Sequence, residues 1–320
     1  MKKRKIIIRL IVGFLILILS SCAGVYFGII LPSFDKLNSE TPSDILDTPV
    51  NENKDKSFSF NILLIGVDRS KSLTDVIMLA SVNKDSKTIN LSSIPRDTRV
   101  KSNNRFKKIN SLYGKGGISV LIETVKELTG APIHYYAIVD FEGFRNIVDI
   151  LGGVEFDVPQ RMKYRDPAQN LNIDLKPGLQ VLDGEKAEQL VRYRQYVEGD
   201  VQRTRVQQNF LKALFEQKCN SSYLLKVPEL FGEISKSCKT NVTLGMILDN
   251  LNLFNSLDEY EFNVHDMPGE GAYVNKVSYF LPDYKKAYEL FATHFMGNGE
   301  PEVKNYTDLT GAKWPEGWNN

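Results

Sequence analysis

Hydrophobic and polar positions divide the chain into stretches of different period. Residues 6–31 carry a single charge, Arg9, which lies near the start and can snorkel, and Lys2, Lys3, Arg4 and Lys5 precede them. A bilayer core takes about 20 apolar residues of helix, and a basic flank stays on the cytoplasmic side. The pattern predicts a cytoplasmic tip at residues 1–5 and a single transmembrane helix over residues 6–31, with the rest of the chain outside. Leu19-Ser-Ser-Cys22 inside that run also has the form of a lipoprotein processing box. The apolar continuation to Leu31 favours an uncleaved helix over lipidation of Cys22, and both readings leave the chain tethered to a membrane.

Residues 32–58 are rich in Ser, Asp, Asn, Glu, Lys and Pro without apolar period, which predicts a flexible spacer. The short apolar run Asn61-Ile-Leu-Leu-Ile-Gly-Val67 then reads as a buried strand of an α/β sheet. Two further runs, 76–82 and 88–94, flank the polar residues 83–87 as the arms of a hairpin. Ile118, Leu121, Ile122, Val125 and Leu128 lie at helical spacing and stop at Gly130, while Asp140 is placed to cap a second helix that ends at Gly152-Gly153. Strands are predicted at 135–139 and 154–158, and helices at 185–196 and 201–217, the last with Asp200 as N-cap. The mixture predicts one α/β domain over residues 59–297, followed by an irregular tail at 298–320.

Composition sets bounds on function. With 42% hydrophobic and 25% charged residues among 320, the chain has the make-up of a folded protein. Forty Lys and Arg against thirty-nine Asp and Glu give a formal charge of +1, so no chain-wide field attracts nucleic acid, and there is no helix-turn-helix pattern. Cys219 and Cys238 fall in the external part, where a disulfide is permitted but spacing does not decide it. His134, His265 and His294 are scattered and read as structural. Gly114-Lys-Gly-Gly117 lacks the spacing of a phosphate-binding loop and reads as a turn before a helix.

Local charge changes this picture. Six bases, Arg96, Arg99, Lys101, Arg105, Lys107 and Lys108, are opposed only by Asp97, and Arg192, Arg194, Arg203 and Arg205 gather against Glu198 and Asp200. Arg192 and Arg194, separated by Tyr193, point to similar sides only where the backbone is extended, and clustered arginines suit bidentate binding of an oxyanion. Asp68 directly follows one strand and Asp75 directly precedes the next, so a short loop brings two carboxylates to one sheet edge. Such a pair serves either as loop caps or as ligands of a hard cation such as Mg²⁺.

The motifs Leu63-Leu-Ile-Gly-Val-Asp-Arg69, Thr74-Asp-Val76, Ser93-Ile-Pro-Arg-Asp-Thr98, Lys108-Ile-Asn110, Phe141-Glu-Gly-Phe-Arg-Asn-Ile-Val-Asp-Ile-Leu-Gly-Gly-Val154, Leu182-Asp-Gly-Glu185 and Val191-Arg-Tyr-Arg194 together resemble the LytR-CpsA-Psr family of cell-wall enzymes. The resemblance implies an α/β/α sandwich with a mixed central sheet and a deep apolar pocket for a polyprenyl chain. It also implies a phosphotransferase that moves an anionic glycopolymer, of the wall teichoic acid or capsular polysaccharide type, from undecaprenyl pyrophosphate to a peptidoglycan sugar hydroxyl. The implied partners are that lipid-linked polymer, peptidoglycan and membrane lipid, without nucleic acid. Hydrolysis of a prenyl pyrophosphate, or a non-enzymatic role as lipid sensor or transcriptional attenuator, are the alternatives.

Carried over by motif, Asp68 and Asp75 would hold Mg²⁺ or activate the hydroxyl, with Arg96 on the pyrophosphate and Asp97 orienting that arginine. Lys108 would lie near the phosphates with Asn110 in support, Arg192 and Arg194 would grip from the opposite side, and Arg203 and Gln208 would complete the head-group site. The sequence departs from the family pattern at Gln202, where a glycine is usual, and at Val206, where a second arginine is usual. Arg205 is one position from that arginine, a rotation of about 100° on a helix.

Overall fold

The computed structural model describes residues 45–47, 59–68, 72–102, 104–218, 238–243 and 259–296, together with 232 and 256. The apolar run 6–31, the box around Cys22, the tail 298–320 and Cys219 lie outside the described residues, and no described helix is long and apolar enough to cross a membrane.

Six strands form the central sheet in the order β11 (Cys238–Thr240), β6 (Tyr135–Val139), β1 (Phe60–Val67), β2 (Thr74–Asn83), β3 (Thr88–Ser93) and β12 (Glu261–Asp266). It is mixed: β1 runs parallel to β6 and β3 parallel to β12, whereas β1–β2, β2–β3 and β6–β11 are antiparallel. The continuous apolar character of β1 goes with its central place, one face buried in the first core and the other half-buried. Leu63, Ile65 and Val67 face one side with Ile77 and Leu79 across the ladder. There they pack on Leu121, Ile122 and Val125 of α1 (Tyr113–Thr129) and on Phe291 and Phe295 of α5 (Tyr284–Phe295).

The opposite face carries Phe60 and Val82, which meet Phe215 of α4 (Asp200–Lys218) beside Phe262. Helices thus cover both sides of the sheet. Between that contact and the sheet's far end, Ile62, Leu64, Val76, Ala80, Ala137 and Val139 on this face are only half-buried.

A second core joins α2 (Phe141–Ile150), α3 (Gly184–Arg192) and α4 with β7 (Val154–Val158), β8 (Met162–Asp166), β9 (Leu171–Leu175) and β10 (Gly178–Leu182) around Val148, Val154, Leu190 and Phe210. Asp140 caps α2 through Gly143 N at 2.9 Å, as its position in sequence predicts. Gly184, the first residue of α3, passes so close to α2 that a Cβ would meet the Arg145 carbonyl at 2.4 Å and Asp149 Oδ2 at 2.7 Å. Both contacts are on the facing helix, so Gly184→Ala is expected to lower stability by about 1–3 kcal/mol in urea denaturation.

Three elements differ from the sequence expectation. The helix predicted over 185–196 ends at Arg192, because Tyr193 turns to φ −65°, ψ 135°. The extended stretch after it lets Tyr193 and Tyr196 both enter the second core, edge to face at 5.0 Å. Asp200 is the first residue of α4 rather than its N-cap, with its carboxylate on Arg203. The predicted turn at 114–117 is one helical turn broken at Gly117, whose φ of 70° favours glycine.

Two hairpins between and after these elements had no strong period in sequence. They are β4 (Arg99–Ser102) with β5 (Arg105–Lys108), and β13 (Gly269–Val274) with β14 (Val277–Pro282).

Candidate functional site

A cavity of about 620 Å³ opens at the end of β1 and β2, where the chain sets down its two aspartates. Asp68 ends β1: its N–H donates to the Leu73 carbonyl at 3.1 Å, and its Oδ1 accepts from Ser72 N at 3.0 Å. Asp75 is aimed by a register shift, in which Gly66 pairs with Val76 but Val67 pairs with Thr74. That leaves Asp75 as the extra residue of a β-bulge, a device that redirects a side chain. Its Oδ1 accepts from Arg96 Nη1 at 2.8 Å and from Arg194 Nη2 at 2.9 Å.

The four arginines in the cavity wall come from three elements. Arg96 follows Pro95 beyond the end of β3, and its backbone carbonyl accepts from Asn110 N at 3.1 Å. Arg192 closes α3, and Arg194 lies two residues on in the extended segment, so Tyr193 breaks the helical rotation that would have separated them. Arg203 is on the first turns of α4, with 3% of its side chain exposed, bonded to Asp200 at 2.8 Å. Burial lowers the pKa of its guanidinium to about 10 against the opposing pull of Asp200, which leaves it charged at neutral pH.

These charges are incompletely satisfied. The Nε atoms of Arg96 and Arg203 are buried without a hydrogen-bond partner. A buried donor left unmade costs about 1–3 kcal/mol, and more when charged. Four guanidiniums and two carboxylates line the cavity, with Asp200 and Glu188 bonded to Arg203 and Arg192, and this set suits an anion with many acceptor oxygens.

The family model described as the LytR_cpsA_psr family matches residues 32–295. This chain belongs to the LytR_cpsA_psr family. It is 29% identical over 264 residues to the polyisoprenyl-teichoic acid–peptidoglycan teichoic acid transferase TagV of Bacillus subtilis, covering 78% of this chain and 67% of that protein. The transferase TagU of Bacillus licheniformis is 26% identical over 309 residues, 91% of this chain and 95% of its own length. The crystal structure of B. subtilis TagV superposes with a TM-score of 0.65 at 27% identity, covering 75% of this chain and 98% of that one. The structure of TagT bound to LI-WTA gives 0.59 at 25% identity, covering 72% and 87%.

Within this LytR_cpsA_psr domain the fold brings Asp68, Asp75, Arg96, Arg192, Arg194 and Arg203 to one cavity. Four other residues named from sequence are placed differently. Asp97 pairs with Lys108 at 2.9 Å and does not orient Arg96, because its side chain turns toward the β4–β5 hairpin; neither residue lines the cavity. Gln208 is fully buried with its amide on the His265 carbonyl at 3.3 Å, and Gln207, about 100° round the helix, lines the cavity instead. Arg205 points away, to Glu198 and Asp266.

The domain also supports the site with residues that sequence reasoning missed. Glu188, 5% exposed, accepts from Arg192 at 2.8 Å and from Arg145 at 2.9 Å. Gln169 Oε1 takes the other side of Arg192, and the Phe141 ring lies 4.6 Å beneath its guanidinium. The i, i+4 spacing of Glu188 and Arg192 was the signal that could have found the first pair. The histidines are less scattered than they read: His265 stacks on His294 at 4.2 Å and bonds Asn90, although neither lines the cavity. Cys238 is a free thiol in β11, pushed up to about 12 by burial.

Proposed function

We propose that this protein transfers an anionic glycopolymer from a polyprenyl-pyrophosphate carrier to a hydroxyl of peptidoglycan. The observation that carries this reading is the cavity itself, where four arginines with two unmet buried donors face two aspartates. The names of the relatives, teichoic acid transferases acting between a polyisoprenyl carrier and peptidoglycan, support it, as does a TagT structure with bound LI-WTA. The half-buried apolar strip on the same sheet face as Val76 supports a prenyl chain beside the head group. The run of residues 6–31 would hold the domain outside the membrane that carries such a lipid.

In the reaction, the acceptor hydroxyl oxygen attacks the polymer-side phosphorus of the pyrophosphate. A new P–O bond forms, the bond from that phosphorus to the bridging oxygen breaks, and polyprenyl phosphate leaves. Arg96 and Arg194 release Asp75 to take phosphate oxygens, while Arg192 and Arg203 hold the opposite side, so charge is neutralised by groups already in place. The hydroxyl proton passes to one of the two cavity carboxylates. The donor set fits Mg²⁺: two carboxylates face one cavity, and both arginine bonds to Asp75 fall on Oδ1, so Oδ2 is open among the described residues. Asp68 and Asp75 would hold the ion, which would supply further neutralisation of phosphate charge.

The test is product analysis with the full chain, a synthetic polyprenyl-pyrophosphate glycan and peptidoglycan fragments. A phosphodiester-linked glycan on the fragment, lost with Arg96→Ala and on chelation with EDTA, is the expected result. Release of polyprenyl phosphate without transfer would replace this reading with hydrolysis, and lipid binding without turnover would replace it with a sensor.

A further inference from the structure

The basic run between Arg96 and Lys108 is larger than the head-group cavity uses, since Arg96 alone of its six bases lines that cavity. The remainder sits on the β4–β5 hairpin. Its cross-strand pairs, Arg99 with Lys108 and Lys101 with Phe106, share one face. Val100 turns to the other face and is buried in the first core, so the basic face is the outward one.

That face is built rather than loose. The β13–β14 hairpin is fastened beside it through the Thr98–Phe280 bridge and a bond from Phe280 N to the Asp97 carbonyl at 3.0 Å. The Arg99 guanidinium lies 3.6 Å from the Phe106 centroid and 5.8 Å from Tyr279, with the Lys108 ammonium 6.0 Å from the same tyrosine. Like charges directly opposed across a strand pair are destabilising, and Arg99 with Lys108 is such a pair. The one acid in the run, Asp97, is already held by Lys108. On that face Lys101 is exposed and its side chain forms no ion pair or hydrogen bond with the described residues, whereas Arg105, opposite Ser102, lies on the face of Val100.

From Arg96 at the cavity to Arg99 on the hairpin is three residues, which span at most about 11 Å. We infer that the outward face of the β4–β5 hairpin, with Tyr279, is a second binding surface that takes the phosphate-bearing repeats of the anionic glycan while its pyrophosphate end occupies the cavity. The inference rests on the head-group reading given above. A sugar- or polyol-phosphate chain offers this surface both of its needs, anions for a face with three bases and one nearby acid, and C–H faces for the rings. An anionic bilayer would answer the charge, but a hairpin seated in lipid presents apolar tips outward, and here Arg99 covers the Phe106 ring.

The test uses the full chain in nanodiscs of zwitterionic lipid, with lipid-free poly(glycerol phosphate) as probe of the hairpin and inorganic pyrophosphate as probe of the cavity. Polymer binding is expected to weaken steeply with added salt. The variant Lys101→Glu is expected to weaken it about fivefold or more, with pyrophosphate affinity and thermal midpoint unchanged, while Arg105→Glu on the other face has a smaller effect. Arg96→Ala should do the reverse, losing pyrophosphate and keeping the polymer. No polymer binding, or equal binding by wild type and Lys101→Glu, would overturn the surface. So would loss of polymer binding in discs containing phosphatidylglycerol for the wild type, which would make the hairpin a bilayer contact. Absence of pyrophosphate binding with polymer binding intact would overturn the cavity reading alone.

Discussion

Asp75→Ala is expected to lower kcat for glycan transfer by about 10²–10⁴-fold while leaving KM for the lipid-linked donor unchanged or lower. The split follows from what Asp75 touches. Its carboxylate is the one acceptor that Arg96 Nη1 and Arg194 Nη2 share, so its removal makes the cavity more positive and leaves both guanidiniums to the pyrophosphate. Ground-state binding therefore survives, and the group that would accept the hydroxyl proton or hold the cation is lost. Asp75→Asn keeps the shape and one acceptor oxygen but no charge, and should fall with alanine. Steady-state kinetics with varied donor concentration check this. A rise in KM with kcat preserved would make Asp75 an arginine-orienting residue and move the chemistry to Asp68.

How far the sequence could be read depended on whether the signal was local. The central strands β1, β2 and β3 and the helices α1 and α2 were legible because each carries its own period or cap: a continuous apolar run, a hairpin around polar residues, the stop at Gly130, and Asp140 before Phe141. The family motifs then named six residues that the fold does gather at one cavity. The errors lie where packing overrides local pattern. Helical spacing continues through Tyr196, yet α3 stops at Arg192 so that two tyrosines can be buried. A motif match also fixes a position but not a side-chain direction, so Gln208 and Asp97 carried family roles that their orientations assign to His265 and Lys108. The bulge that aims Asp75 exists only in the pairing of β1 with β2 and leaves no mark in the sequence.

Glu188 is where that limit has the largest consequence, and its replacement by alanine is expected to destabilise the fold by about 3 kcal/mol, the lower end of the range for breaking a buried ion pair. The loss falls at the low end because only one partner, Arg192, is buried. Arg192 has 7% of its side chain exposed and Arg145 36%, so Arg145 can turn to water while Arg192 cannot. Two opposed effects then act on the head-group site. Losing a carboxylate makes Arg192 more available to an anion, but it also removes a charge-assisted bond that fixes the guanidinium, worth about 1.5–3 kcal/mol. The remaining supports, Gln169 and the Phe141 ring, restrain one edge and one face and leave the Glu188 side open. Orientation should prevail, because the gain in charge is screened at an open cavity whereas a bidentate grip fails once the fork rotates. Pyrophosphate affinity is expected to fall about tenfold or more, measured by titration under conditions where the variant remains folded, with urea denaturation giving the stability change. Arg145→Leu separates the roles: it removes Glu188's other partner and should lower stability while Arg192 stays bonded and pyrophosphate affinity holds. Equal losses of affinity in both variants would show that the buried pair supports the fold and does not position Arg192.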